Sequence, residues 1–284
     1  MNRFSIILLT ILFMLPLSSD AQHKRALVIG LGKYEDTSWA RINGDKDVII
    51  VNSLLRTVGF TDIRYLVNER ATKKNIVNAF NRLANNSRKG DIVYIHFSGH
   101  GQQITDIDGD EQDNWDECWI PYDAYMKCCS KDNGSKHLTD DEINVLLYRI
   151  KNKIGSNGKL LVVVDACHSG DSSRGVSSET YRGASDKFHT TINFNPTNKL
   201  SEKEDWIILS ACKDYQRNAE LKTDKGQYGK LTYALCKLLP ENKDKSNKHI
   251  YNALCNFFDR NRGKLQQTPV MHGVTSEFNI EDIF

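Results

Sequence analysis

The sequence lacks a marked excess of charge of either sign, and after its first two dozen residues it has no long apolar run. Its 284 residues include 38 Lys or Arg and 36 Asp or Glu, a formal net charge of +2. This balance predicts no nucleic-acid partner. No later segment reaches the roughly 20 apolar residues of a membrane-spanning helix. Internal repeats and cysteine pairs with zinc-ligand spacing are also missing. The length suits one large domain or one and a half small ones, and the composition is ordinary for a globular protein.

The first 21 residues have a different composition from the rest of the chain. Arg3 is basic, residues 6–17 are apolar apart from Thr10, and Ser19-Asp20-Ala21 follows. This order predicts a signal peptide that is removed on export, which leaves the mature chain in the periplasm or the medium and off the membrane. The alternative, a membrane anchor, needs a longer apolar stretch. Export also permits disulfides among the seven cysteines, and their odd number leaves at least one thiol outside an internal pair.

Short apolar runs and amphipathic segments alternate through the rest of the chain. The predicted strands span residues 25–30, 61–67, 91–98, 159–166 and 205–211, and the predicted helices span residues 47–58, 72–88, 138–152, 228–239 and 248–262. This alternation predicts an α/β fold in which a mostly parallel sheet carries helices on both faces. Functional sites in such sheets form at the carboxyl ends of the strands.

Residues 171–204 interrupt this pattern. They are rich in Ser, Thr, Asn and charged residues and poor in aliphatic ones. We therefore expect an exposed linker that joins residues 22–170 to residues 205–284 within one domain.

Two predicted strands end in reactive side chains flanked by glycine, in the segments S-G-H-G and D-A-C-H-S-G. A thiol attacks a carbonyl as the thiolate and needs a nearby base, so we predict Cys167 as nucleophile and His100 as general base. The backbone N–H groups of Gly101 and Cys167 are the expected oxyanion-hole donors. His168 is a rival base, but residues adjacent at a strand end point in opposite directions. His96 lies inside a strand and is interpreted as structural.

The segments A-L-V-I-G, Y-I-H-F-S-G-H-G and V-V-D-A-C-H-S-G resemble those of metacaspases, the caspase-like peptidases of bacteria, plants and protists. The likeness runs from about residue 25 to residue 282 and suggests a secreted bacterial member. It implies the caspase-hemoglobinase fold and a cysteine endopeptidase that uses a Cys–His dyad, forms a thioester and needs no cofactor for the chemistry.

The same resemblance implies how the chain is organised. Residues 22–170 would be the large-subunit-like part and residues 205–284 the small-subunit-like part. Family members often cut themselves in the linker, where Arg174, Arg182 and Lys187 are basic candidates. Glu220 and the segment G-K-L-T-Y that follows it look like the family's small-subunit region, as scaffold and substrate rim. Two alternatives stay open: a clostripain- or gingipain-like peptidase, and a catalytically silent binding module on the same fold.

Acidic residues near the predicted nucleophile indicate which bond is cut. Asp165 lies two residues before Cys167, on the same side of its strand, and a carboxylate there would attract a cationic residue before the scissile bond. The resemblance implies that Asp165, Asp47 and Ser98 line the primary specificity pocket, with Asp45 as an alternative to Asp47. The expected substrates are proteins or peptides cut after Arg or Lys. Asp47 could instead serve as a helix N-terminal charge.

An acidic loop raises the question of a metal. Its spacing matches an EF-hand at four positions but has Glu111 where that loop requires glycine, so we reject an EF-hand. The resemblance implies calcium activation through Asp116, Asp140 and Asp141, and oxygen ligands suit calcium. The family's fourth carboxylate falls at Arg174, with Asp171 as a substitute. In the other interpretation, the segment T-D-D-E is a capping box whose acids stabilise a helix start.

Overall fold

The computed structural model describes residues 22–109, 111–168, 179–184, 186–193, 205–242, 245–273, 280 and 283. The predicted signal peptide, Arg174 and Asp171 lie outside these residues. Within the described part, no helix is long and apolar enough to cross a membrane.

Eleven strands and five α-helices make up the described part of the chain. In chain order the strands are β1 (Lys24–Gly30), β2 (Asp62–Val67), β3 (Ile92–Ser98), β4 (Gly101–Thr105), β5 (Trp115–Trp119), β6 (Leu138–Thr139), β7 (Lys159–Asp165), β8 (Ile207–Ser210), β9 (Glu220–Thr223), β10 (Gly226–Gly229) and β11 (Val270–His272). The helices are α1 (Gly44–Thr57), α2 (Lys73–Asn86), α3 (Asp140–Ile154), α4 (Lys230–Leu238) and α5 (Asn247–Arg260).

Six strands form the central sheet in the order β11-β8-β7-β3-β1-β2. All neighbouring strands are parallel except β11, which pairs antiparallel with β8. In the register of the three middle strands, Gly30 pairs with Ser98 and Ser98 pairs with Asp165. The carboxyl ends of β1, β3 and β7 are therefore level, and the residues that follow them emerge together. The predicted mostly parallel α/β fold is confirmed.

Alternate residues of the central strands are buried in two separate hydrophobic cores, one on each face of the sheet. Leu27 and Ile29 of β1 belong to a core with α2 and α3, whereas Ala26 and Val28 belong to a core with α1, α4 and α5. Because side chains alternate along a strand, apolar residues at every position are buried when helices cover both faces. This double cover makes the sheet a rigid support for whatever follows the strand ends.

The start of α3 is fixed by its sequence. The Thr139 hydroxyl accepts a hydrogen bond from the Glu142 N–H, and the Glu142 carboxylate accepts one from the Thr139 N–H, both at 3.3 Å. This reciprocal pair is the capping box that the sequence predicts. It places Asp140 and Asp141 in the first helical turn, where negative charge interacts favourably with the positive end of the helix dipole.

Two smaller sheets were not predicted from the sequence. Strand β4 starts at Gly101 and pairs with β5, which pairs with β6, and a separate hairpin joins β9 to β10. These strands have two to five residues each, too few for a periodic pattern to stand out. Both sheets lie beside the functional site described below.

The prediction that residues 171–204 form an exposed linker is wrong for part of the segment. Arg182 has 0% of its surface exposed, and Ala184 and Phe188 are buried as well. The Arg182 N–H donates to the Asn218 carbonyl at 2.9 Å, and the Phe188 N–H donates to the Gln103 carbonyl at 2.7 Å. At Arg182 the polar character of the sequence therefore reflects main-chain and ionic pairing inside the protein rather than exposure to water. Lys187 does lie on the surface.

Candidate active site

Cys167 and His100 follow adjacent strands at equivalent positions. Ser98 of β3 pairs with Asp165 of β7, and each of the two predicted catalytic residues comes two positions after its member of that pair. The Gly99 N–H donates to the Asp165 carbonyl at 3.4 Å, which extends the strand pairing toward the two residues. The sheet thus brings both residues to one edge, as the sequence predicts.

The surroundings of His100 determine which ring nitrogen is basic. Its Nε2 lies 2.8 Å from the Ala40 carbonyl, which can only accept a hydrogen bond, so Nε2 carries the proton. Nδ1 is buried and has no hydrogen-bond partner within the described part of the chain. The ring stacks on Trp39 at 5.1 Å between ring centres and packs against Tyr34 at 5.2 Å. Burial lowers the pKa of His100 to about 4, so the imidazole is neutral and its Nδ1 is free to accept a proton.

The main chain at Cys167 contacts the segment that was predicted as a linker. The Cys167 N–H donates to the carbonyl oxygen of Arg182 at 2.7 Å, and the thiol donates to the Gln216 carbonyl at 2.8 Å. A Cβ atom added to Gly183 would lie 2.6 Å from the Cys167 carbonyl oxygen and 3.2 Å from the Cys167 Cβ. The Arg182–Gly183 peptide bond therefore lies directly against the predicted nucleophile.

Gly101 packs against the same main chain from the other side. A Cβ atom there would lie 2.6 Å from the Cys167 carbonyl oxygen, so any larger residue would push the two strand ends apart. The Gly101 carbonyl accepts a hydrogen bond from the Ala184 N–H at 3.1 Å. The role of the Gly101 N–H as a second oxyanion-hole donor stays a prediction.

The side chain of Arg182 fills a closed acidic pocket. Its Nη1 lies 2.8 Å from an Asp47 carboxylate oxygen and 3.6 Å from one of Asp165, and its Nη2 lies 2.9 Å from Oε1 of Glu220. Nη1 also donates to the Ser98 hydroxyl at 2.5 Å. The three residues predicted to line the specificity pocket thus meet at one arginine, and Glu220 adds a third carboxylate. The alternative residue Asp45 instead accepts a hydrogen bond from Asn68.

The pocket carboxylates are held in place by neighbouring donors. Asp165 accepts hydrogen bonds from the Asn218 side chain at 2.7 Å and from the hydroxyl and N–H of Thr232 at 2.7 and 2.8 Å. The Gly229 N–H donates to both oxygens of Asp47, at 3.1 and 3.2 Å. A Cβ atom on Gly229 would lie 2.2 Å from an Asp165 oxygen, so the pocket wall requires glycine there.

Burial and charge act in opposite directions on these carboxylates. Burial raises the pKa of Asp47 to about 6, although the nearby Arg182 charge opposes the rise. Burial would also raise the pKa of Asp165, but the Arg182 charge and the donors from Asn218 and Thr232 hold it below its ordinary value. The pocket is therefore suited to a buried cation, and its electrostatic balance depends on having one.

The other two histidines at this edge have different partners. His168 has its Nδ1 3.1 Å from the Cys118 carbonyl, which can only accept a hydrogen bond, so Nδ1 carries the proton and Nε2 is its basic nitrogen. His96 is fully buried inside β3 between the Tyr94 hydroxyl and the Thr232 hydroxyl, as expected of a structural residue.

Asp116, Asp140 and Asp141 form a second acidic cluster. One carboxylate oxygen from each lies within 4.8 Å of the others. The Asp116 and Asp140 Oδ1 atoms are buried without a hydrogen-bond partner among the described residues. Burial, with repulsion between the acids, raises the pKa of Asp116 to about 8, that of Asp140 to about 7 and that of Asp141 to about 6. Unpaired hard oxygens under mutual repulsion are a donor set that fits a calcium ion.

Several functional side chains were missed or left without a role by the sequence analysis. Arg182 was considered only as an exposed basic residue, and Glu220 only as part of a rim. Trp39, Tyr34 and Asn218 gave no signal, because they lie in loops and support the site through contacts with residues distant in the chain. The three acids and the arginine come from separate parts of the chain, so only the folded structure shows that the acids surround the arginine.

Solved structures with a similar architecture identify the fold. A protein from Geobacter sulfurreducens superposes with a TM-score of 0.62 at 24% identity, covering 88% of this chain and 92% of that one. Caspase-1 from Spodoptera frugiperda superposes with a TM-score of 0.60 at 12% identity, covering 90% of each chain. The fold is therefore the caspase-hemoglobinase fold.

Sequence comparison gives the family. The model of the caspase domain matches residues 23–279, and the chain belongs to the caspase-domain family. Metacaspase-1 from Meyerozyma guilliermondii is 25% identical over 83% of this chain and 66% of its own length. Metacaspase-1B from Aspergillus oryzae is 26% identical over 70% of this chain and 53% of its own. The chain therefore spans about half to two thirds of the length of these relatives.

Proposed function

We propose that this protein is a cysteine endopeptidase that cuts peptide bonds after Arg or Lys. One observation supports this most directly: an arginine of the chain itself occupies the acidic pocket while its carbonyl oxygen accepts a hydrogen bond from the Cys167 N–H. The carbonyl of a residue before a scissile bond would occupy this place, with the oxyanion donor already in position. Membership of the caspase-domain family supports the same chemistry.

The dyad would work through a thioester. The Cys167 thiol gives its proton to Nδ1 of His100, and the sulfur forms a bond to the carbonyl carbon of the residue in the pocket. The tetrahedral oxyanion is stabilised by the Cys167 N–H. Collapse breaks the carbon–nitrogen bond, and His100 returns the proton to the departing amine. Water, with its proton passed to His100, then hydrolyses the thioester and restores the free thiol.

The alternatives predict different behaviour. A silent binding module would not need a buried imidazole nitrogen without a partner among the described residues at the same sheet edge as the cysteine, and that arrangement favours catalysis. A clostripain- or gingipain-like peptidase would share the dyad and basic specificity, and the metacaspase relatives favour the first proposal.

Cleavage of a randomised peptide library should show Arg or Lys before the cut in nearly all products. The physical reason is that the pocket holds three buried or nearly buried carboxylates, which repel an acidic side chain and leave an apolar one without compensation for their charge. Mass-spectrometric identification of the new carboxyl termini measures this preference. Products that end in Asp would contradict the proposed specificity, whereas no products at all would contradict the proposed activity.

Self-cleavage is part of the same proposal. Because Arg182–Gly183 is the bond that lies against Cys167, it is the bond we expect the protein to cut in its own chain, rather than one after Arg174 or Lys187. Until that cut, residues 180–184 and 186–188 lie against the site. Their main chain bonds to Asn218 and Glu220 on one side of the cut and to Gly101 and Gln103 on the other. Export with loss of residues 1–21 also belongs to the proposal and is supported by the sequence pattern alone.

Calcium would bind at the cluster of Asp116, Asp140 and Asp141. When bound, it would supply positive charge that relieves the repulsion between these acids. Asp116 lies on β5, which pairs with β4, and β4 begins at Gly101 beside the nucleophile. An ion that orders β5 would therefore also steady the wall of the active site.

Calcium should raise the melting temperature of the protein, and Asp116→Asn should remove most of this effect. At a concentration a hundredfold above the dissociation constant, binding contributes about 2.7 kcal/mol to the free energy of unfolding. Differential scanning calorimetry with and without calcium measures the shift. Asp113→Asn is the matched control, since Asp113 is an exposed acid three residues before Asp116. Equal calcium shifts in wild type and Asp116→Asn would rule out this site.

A further inference from the structure

The pocket holds the two edges of the Arg182 guanidinium with different groups. On one edge, Nη1 faces an oxygen of Asp47 at 2.8 Å, the Ser98 hydroxyl and the Asp165 carbonyl at 3.3 Å. On the other edge, Nε and Nη2 both donate to a single oxygen, Oε1 of Glu220, at 3.1 and 2.9 Å. Only a guanidinium offers two parallel N–H donors in this arrangement.

Glu220 is fixed by contacts that do not involve Arg182. The Asn43 N–H donates to Oε1 and the Asn43 side-chain amide donates to Oε2, both at 2.6 Å. Glu220 is also the first residue of β9, where it pairs with Gly229 of β10, and its N–H donates to the Thr180 carbonyl at 2.9 Å. The side chain is nearly buried, with 7% of the residue exposed. Glu220 therefore presents a preorganised acceptor at a fixed place in the pocket.

A lysine in the same pocket would place a carbon atom, rather than an N–H donor, next to the Glu220 carboxylate. Its side chain has a methylene group, Cε, where arginine has Nε, and its ammonium nitrogen takes the place of the guanidinium carbon. The ammonium could still approach Asp47, Ser98 and the Asp165 carbonyl. Glu220 would lose two donors and keep only those of Asn43, and leaving a buried charged group short of hydrogen bonds is unfavourable.

We infer that Glu220 is the specificity residue that selects arginine over lysine before the scissile bond. The inference rests on the proposed function and narrows its substrate class: Asp47, Asp165 and Ser98 accept a cation of either shape, and Glu220 distinguishes the two. The wild-type enzyme should cut an arginyl bond roughly ten to a hundred times more efficiently than the matched lysyl bond.

The test compares two fluorogenic peptides that differ only in Arg or Lys before the cut, using wild type and Glu220→Gln. The substitution should lower kcat/KM for the arginyl peptide by about tenfold and change kcat/KM for the lysyl peptide little. The ratio of the two constants does not depend on how much of each preparation is folded or self-cleaved. Asp224→Asn is the matched control, because Asp224 is an exposed acid of the same hairpin, and its ratio should equal that of wild type.

A second measurement works even if Glu220→Gln proves inactive. In the Cys167→Ala chain, which should stay uncut, Arg182→Lys is combined with Glu220→Gln in a double-mutant cycle of unfolding. Arg182→Lys should lower the melting temperature clearly when residue 220 is Glu and much less when it is Gln. Equal effects in both backgrounds, or a wild-type enzyme that cuts lysyl and arginyl peptides alike, would overturn the inference. Failure of wild type to cut either peptide would instead contradict the proposed function.

Discussion

Cys167→Ala should leave the chain whole and lower peptide hydrolysis by about 10⁴- to 10⁶-fold, as loss of a catalytic nucleophile does in other peptidases. Wild type should separate into two fragments, one ending at Arg182 and one beginning at Gly183. Intact-mass measurement distinguishes this cut from one after Lys187, and hydrolysis of an arginyl peptide measures activity toward added substrate. His100→Ala should have a similar effect, because the thiol would lose the Nδ1 acceptor.

Cys255→Ala is the matched control for loss of a thiol. Cys255 lies within α5, so this substitution removes a sulfur atom without altering the strand ends. It should retain both self-cleavage and peptide hydrolysis. If purified Cys167→Ala were nicked at residue 182 as wild type is, another protease would be responsible and self-cleavage would be excluded.

Arg182→Ala should destabilise the uncut protein strongly at neutral pH. Removing one partner of a buried ion pair costs about 3–5 kcal/mol, because the remaining charges stay buried without compensation. Here Asp47 and Asp165 are fully buried and Glu220 is nearly so. The comparison is made in the Cys167→Ala background, which stays uncut, by thermal unfolding across a range of pH.

The sign of the pH dependence follows from the carboxyl groups. Burial raises the pKa of Asp47 from 3.8 to about 6 even with Arg182 present, and loss of the guanidinium raises it further. A group whose pKa is higher in the folded state contributes most to stability below its unfolded pKa, and that contribution is lost as pH rises through its folded pKa. The deficit of Arg182→Ala should thus be small near pH 4 and grow as the pH rises through 6.

Two further measurements distinguish loss of the cation in the pocket from a nonspecific loss of stability. Agmatine, a small guanidinium compound, should raise the melting temperature of the Arg182→Ala chain but not that of the parent, whose pocket is filled. Lys187→Ala removes an exposed cation that lies 4.2 Å from the Trp115 ring centre, and it should cost about 1 kcal/mol or less. A deficit for Arg182→Ala that is no larger than this, and that does not vary with pH, would contradict the proposed electrostatic balance.

The features of this protein that could be predicted from its sequence are those set by residues close together in the chain. Strands β1, β3 and β7 were predicted almost to the residue, because their continuous apolar runs stop at glycine or a polar residue. Cys167 and His100 followed from the same strand ends. The burial of Arg182 could not be predicted, because its partners Asp47 and Glu220 lie far from it in the chain and a Ser- and charge-rich segment is typical of exposed loops. The placement of Cys167 and His100 at one edge of the sheet was thus accessible from sequence, whereas the burial of Arg182 against Cys167 was not.

The charge balance of the pocket has a consequence for turnover. Folding encloses three acids around an arginine that the chain supplies, so under the proposed self-cleavage Arg182 is the first substrate residue that the pocket holds. Once that arginine leaves, the vacant pocket carries uncompensated negative charge. The enzyme with an empty pocket, between one substrate and the next, should therefore be its least stable form. Products that end in arginine should dissociate slowly and act as competitive inhibitors.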